Sequence, residues 1–168
     1  MRPKMEIVRC NPGRDRDVFD LAVQAWPAAE RDGYEQAIRR ELASGHAELV
    51  VLLGARRSDA LVAAQLAQVL PGRVAVVWRP WFASGDSPEN DALAKSLMAR
   101  LLSELAAAGV QLCQGLVARG DAESARLFAC GEFMCAAELL YLAAPPEDAA
   151  GRPSLPFDLA PLGDSDAA

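Results

Sequence analysis

The sequence predicts an α/β domain of the mixed α+β kind, built on a central, mostly antiparallel sheet with one parallel pair of strands. Three apolar runs, Leu49 to Leu53, Leu61 to Leu70 and Val74 to Trp78, follow one another across the short connections Arg56-Arg57-Ser58-Asp59 and Pro71-Gly72. Such spacing predicts consecutive antiparallel hairpins. A long amphipathic helix, about Pro88 to Ala108, comes next, and Gln111 to Val117 then returns as a strand. A strand reached through a helical crossover lies parallel to the one it left, here Val74 to Trp78.

The other elements follow from local chemistry. Met5 to Cys10 alternates as a short strand, and Asn11-Pro12-Gly13 ends it with turn residues and a missing ladder donor. Asp17 is the expected N-cap of a first helix that places Val18, Leu21, Ala22 and Ala25 on one face before Trp26-Pro27 stops it. A second helix, Tyr34 to Ala43, turns Tyr34, Ala37, Ile38 and Leu42 inward and stops at Ser44-Gly45. In the long helix Leu93, Leu97, Leu101 and Leu105 recur at helical spacing, with Lys95, Arg100, Ser103 and Glu104 toward water. Ala107-Ala108-Gly109 ends it. A shorter helix, Ala122 to Ala129, precedes Gly131 and a final strand from Phe133 to Leu142.

Composition narrows the class. A chain of 168 residues with 52% hydrophobic content suits one ordinary domain with a real core. Its 17 Lys+Arg against 23 Asp+Glu give a net charge of -6, so the positive field of a nucleic-acid binder is missing. Cys10, Cys113, Cys130 and Cys135 contain no C-x-x-C pair and read as free buried thiols, which implies a reducing, cytoplasmic setting. Met1 to Lys4 leads into polar residues without an apolar leader, and no run has the length of a membrane span, so neither secretion nor a membrane is expected. Residues 1–144 are expected to form the domain. From Pro145 onward Pro145, Pro146, Pro153, Pro156 and Pro161 join five acids and the lone base Arg152, which reads as a linker or arm. Within it Leu155 to Leu159 has the look of an edge strand or of the start of a second domain.

The order β-α-α-β-β-β-α-β-α-β resembles the GNAT superfamily of N-acetyltransferases over about Met5 to Ala143. The most specific stretch runs from Leu97-Met98-Ala99-Arg100-Leu101-Leu102 through Ala108-Gly109-Val110 to Ser124-Ala125-Arg126-Leu127-Phe128-Ala129-Cys130-Gly131-Glu132-Phe133. It reads like the family's third helix followed by its A-x-x-L-Y-x-x-x-G-F segment. The resemblance implies a GNAT-like acyl-CoA N-acyltransferase fold with helices on both faces of the sheet. It also implies acetyl-CoA as cofactor and a small-molecule or peptide amine as acetyl acceptor. In that family the pantetheine arm pairs with the strand before the long helix, which places Val77 and Trp78 on it. A glycine-rich loop holds the pyrophosphate, which assigns that place to Ala92, Leu93, Ala94 and Lys95. Trp26, Arg31 and Tyr34 fall in the connection that borders the acceptor pocket.

The chain departs from the family pattern at chemically telling positions. Where the phosphate loop begins with Gln or Arg stands Glu89, and its first glycine is Ala92. Glu89 and Asp91 bring negative charge to a helix start that favours anions, and a β-carbon at 92 hinders close approach of phosphate to backbone N–H groups. Where many members carry a tyrosine that protonates the leaving thiolate stands Phe128, leaving Tyr141 as the nearest substitute in sequence. Glu30, Glu35 and Glu138 are carboxylates of the kind a general base needs, although a solvated carboxylate is the commoner reading of each. His46 stands alone without a ligand cluster, so no metal is expected. Trp78, Trp81 and Phe82 either line a cleft or cap the sheet. Two further readings stay open beside the acetyltransferase. One is a non-catalytic GNAT-like module whose altered CoA site serves a partner, a second GNAT-like domain or another copy; the other is a small-ligand sensor using the aromatic cleft.

Overall fold

The structure is a computed structural model that describes residues 5–85 and 88–139. Tyr141 and everything from Pro145 onward lie outside the described residues. By contacts the chain divides into Met1–Met134 and Cys135–Ala168, and the elements below belong to the first unit.

In chain order the elements are β1 (Met5–Cys10), α1 (Arg16–Ala22), α2 (Arg31–Ala43), β2 (Val50–Arg57), β3 (Ala60–Leu70), β4 (Val74–Val77), β5 (Trp81–Phe82), α3 (Asp91–Ala107), β6 (Leu112–Gln114) and α4 (Ala122–Cys130). The strands form one sheet in the order β1-β2-β3-β4-β6, with β5 paired to β3. All pairings are antiparallel except β4 with β6, the parallel pair that the crossover through α3 demands. The fold class read from the sequence is thus the fold observed.

Strand alternation builds the two core layers. Val51, Leu53 and Ala55 of β2 face one side, where they meet Leu97, Met98, Leu101 and Leu105 of α3 and Leu127 and Phe128 of α4. Val50 and Leu52 face the other, against Val18, Phe19, Ala22 of α1 and Ile38 of α2. Helices therefore cover both faces. Leu93, the first leucine of the α3 series, is only partly buried.

Several boundaries move, each for a visible reason. The cap of α1 is Asp15, whose carboxylate accepts from the Asn11 N–H at 2.6 Å, while Asp17 lies in the first turn and pairs with Arg56 of β2 at 2.7 Å. Arg56 and Arg57 belong to β2 because they pair with both β1 and β3, so the turn narrows to Ser58-Asp59, with Ser58 at φ 54. Helix α2 starts three residues early, at Arg31, and ends where Gly45 takes φ 86. Glu104 is half-sheltered on α3, held by Arg9 at 2.9 Å and Arg100 at 2.6 Å. Finally, the expected strand from Phe133 to Leu142 is not formed over its described part, 133–139. Glu132 takes φ 64 and the Phe133 N–H bonds back to Phe128 O at 3.1 Å, turning Phe133 onto α4, where the two rings meet edge-on with centroids 5.2 Å apart.

Candidate functional site

The parallel pairing of β4 with β6 runs through Val74–Leu112, Ala75–Cys113 and Val76–Gln114 and then stops, although β4 continues to Val77. The sheet opens there. The Trp78 N–H donates to Leu66 O at 3.1 Å, toward β3, and neighbouring strand residues direct their backbone groups to opposite sides. Val77 therefore turns its backbone groups toward β6, its N–H at the last rung beside Gln114 and its C=O beyond that rung, toward the opened side. Trp78 does not, since its carbonyl accepts from Gln65 Nε2 at 3.0 Å. Of these two candidate positions, only Val77 directs its carbonyl to the gap.

On the far side of the opening the chain after β6 is shaped by Phe128. Gly115 packs so closely on that ring that a β-carbon would fall inside its van der Waals envelope. Phe128 is 6% exposed and packs between Gly115 and Phe133, with no hydroxyl of its own to offer. Gly131 in turn leaves room for Met98 of α3.

Helix α3 starts beyond a single 3-10 turn at Pro88–Asn90, and the Asn90 side-chain amide donates to Gly85 O at 3.0 Å. In its first turns Ala92 and Lys95 are exposed, Leu93 is half-buried and Ala94 is buried. Asp91 does not stand as a bare charge: it forms an ion pair with Arg126 of α4, which Glu123 also holds. This pairing could not be read from spacing, because the partners are far apart in sequence. Nearby, Asp121 caps α4 by accepting from the Ser124 N–H at 2.9 Å and the Ser124 hydroxyl at 2.6 Å. Burial pushes its carboxyl up, but the Ser124 bonds and the positive charge of Arg79 outweigh that and leave it below its ordinary value. The Arg79 guanidinium lies 4.4 Å from the centre of the Trp81 ring.

The residues assigned to the acceptor side come together. Trp26 packs on Tyr34 at 5.6 Å and on Trp78 at 5.4 Å, Tyr34 reaches Trp78 at 6.2 Å, and Phe19 supports Trp26 edge-on at 6.5 Å. Arg31 Nη2 donates to the Trp26 carbonyl at 3.3 Å. Trp26 is 2% exposed and its indole N–H has no acceptor among the described residues. The aromatic cluster thus joins α1, α2 and the end of β4, linking the acceptor-side candidates to Trp78.

Other candidates separate from this cluster. Glu35 is bound by Arg39 at 2.7 Å, and Glu30 and Glu138 are exposed. His46 pairs with Glu41 at 3.1 Å on the surface. Burial raises the Cys10 thiol, with Asp15 acting in the same direction, and burial alone raises Cys113, so both stay protonated at neutral pH. Gln65 escaped the sequence reading. It is one of two amides, with Gln68, in the apolar run from Leu61 to Leu70, and of the two only Gln65 is fully buried, which burial and not sequence decides.

No protein-family model matches the chain, and no curated protein matches it significantly. Solved structures do match. An aminoglycoside N-acetyltransferase AAC(6')-Iy in complex with CoA superposes with a TM-score of 0.65 at 13% identity, covering 86% of this chain and 97% of that one. AAC(6')-Ih from Acinetobacter baumannii gives 0.61 at 16% identity, covering 84% and 99%. A protein from Desulfovibrio desulfuricans assigned to the GNAT family gives 0.59 at 15%, covering 80% and 87%. These superpositions, each over four-fifths or more of the chain, show that it has the fold of the GNAT acetyltransferases.

Proposed function

We propose that the domain transfers an acetyl group from acetyl-CoA to a small-molecule amine, with low affinity for the cofactor. The observation that carries this reading is the end of the β4–β6 pairing at Val76–Gln114, beyond which the Val77 carbonyl faces the gap. The amide-bearing arm of CoA matches that gap in chemistry, since its N–H groups are donors for a strand carbonyl left beyond the last rung. The acceptor amine enters beside Trp26, Arg31 and Tyr34, whose cluster reaches Trp78. Ala92 to Lys95 meet the pyrophosphate, with Lys95 as the exposed cation. Structural neighbours include aminoglycoside acetyltransferases with CoA or antibiotic bound, which favours a small-molecule amine over a protein partner. An amine held against the thioester reacts by proximity, so a buried Phe128 slows the reaction through loss of a proton donor without abolishing it.

Weak cofactor binding follows from Glu89 at the helix start, where a misplaced charge costs about 0.3–1 kcal/mol, Asp91 being paired with Arg126. Calorimetric titration of acetyl-CoA should give a dissociation constant above the submicromolar range. The double change Glu89→Gln with Ala92→Gly should tighten it. Submicromolar affinity in the unaltered protein refutes the weak-site argument, and no binding at any concentration returns the non-catalytic module as the better reading.

A further inference from the structure

Beyond Trp78 the partner registers slip. Leu66 receives the Trp78 N–H and Ala64 pairs with Trp81, so two residues, Arg79 and Pro80, stand opposite one, Gln65. A bulge turns the strand, and proline contributes no donor to repair the ladder. The Trp78 carbonyl is therefore satisfied by a side chain: Gln65 Nε2 donates to it at 3.0 Å and touches Met98 Sδ of α3 at 2.9 Å. Gln65 is fully buried, and its Oε1 has no donor among the described residues. A buried acceptor left without a donor is destabilising, and an apolar residue of the same length would remove it while leaving the Trp78 carbonyl without its donor, so the two effects offset and stability alone does not explain the amide.

We infer that Gln65 is a positioning residue for the acyl-donor cleft: by pinning the Trp78 carbonyl inward at the bulge, it keeps the Val77 carbonyl facing the gap between β4 and β6. This rests on the reading of that gap as the seat of the pantetheine arm. The contact to Met98 ties the same point to the second turn of α3, so one amide couples the strand end to the helix whose start would meet the phosphates.

The test compares the unaltered chain with Gln65→Met, which keeps length and apolar contact but cannot donate, and Gln65→Leu. Three measurements are made: melting midpoint, amide exchange over residues 76–82, and calorimetric titration with acetyl-CoA and with adenosine 3′,5′-bisphosphate, which lacks the arm. The expected result is a nearly unchanged midpoint, faster exchange confined to 76–82, acetyl-CoA binding weakened by about tenfold or more, and unchanged binding of the bisphosphate. Exchange that stays the same over 76–82 overturns the inference whether or not the cofactor binds. Equal weakening of both ligands, or a lowered midpoint with global loss of protection, also overturns it in favour of a merely structural amide. An unaltered chain that binds neither ligand defeats the functional reading, and the exchange result then judges the pinning of the strand by itself.

Discussion

At the scale of single residues, the site is shaped by two small groups placed against large or charged ones. Gly115 exists as glycine because the Phe128 ring occupies the space of its β-carbon. Gly115→Ala should destabilise the domain by about 1–3 kcal/mol through overpacking. Adding Phe128→Leu should recover part of that loss, because neighbouring changes couple; denaturant melts that show simple additivity would refute the contact. Asp121 makes a second, pH-dependent case. Its folded carboxyl lies below the ordinary value of 3.8, so its contribution is complete above that value and is lost as pH falls through the folded value. Asp121→Ala should cost about 0.5–2 kcal/mol at neutral pH and nothing at the acid end of that window. Chemical melts at pH 7 and in strong acid check this, and an equal loss at both ends would show that the cap does not depend on its charge.

Among elements, α3 carries the most. Leu97, Leu101 and Leu105 are fully buried on the sheet, whereas Arg100 sits half-exposed in an ion pair with Glu104. Leu101→Ala should lower stability by about 2–5 kcal/mol, and Arg100→Ala by roughly 1 kcal/mol or less. Thermal melts giving similar small shifts for both would mean that the helix is not the main clasp of the sheet. This face was legible because a leucine repeat at helical spacing has one physical solution against a sheet. The strand from Phe133 was misread because alternation cannot report a backbone reversal: Glu132 at φ 64 and the Phe133–Phe128 contact turn the chain onto α4 instead.

For the molecule as a whole, β6 is the last strand of the described sheet, and Leu112, Leu116 and Val117 near it are exposed. An apolar sheet edge invites pairing. Leu155, Phe157, Leu159 and Leu162 in the Pro-rich tail are too apolar for a solvated linker and are expected to dock on a neighbouring surface. Deleting Gly151 to Ala168 should leave the melting midpoint of the domain in place while changing its association state by size exclusion. A deletion that matches the full chain in both measurements shows the tail to be inert.

The sequence by itself determined the mixed sheet, the hairpin order, the parallel pair across the long helix and the inward leucines. Each is a local pattern whose period or connection length admits few solutions. It also marked Trp26, Arg31 and Tyr34, although only folding brings their connection onto Trp78. What tertiary structure alone decided is long-range and electrostatic. Arg126 answers Asp91, Gln65 reaches the Trp78 carbonyl across a one-residue bulge, and Phe128 leaves room only for glycine at 115. A periodic pattern says which way a side chain faces. Which partner waits there depends on register and helix docking, and those are settled only when the layers pack.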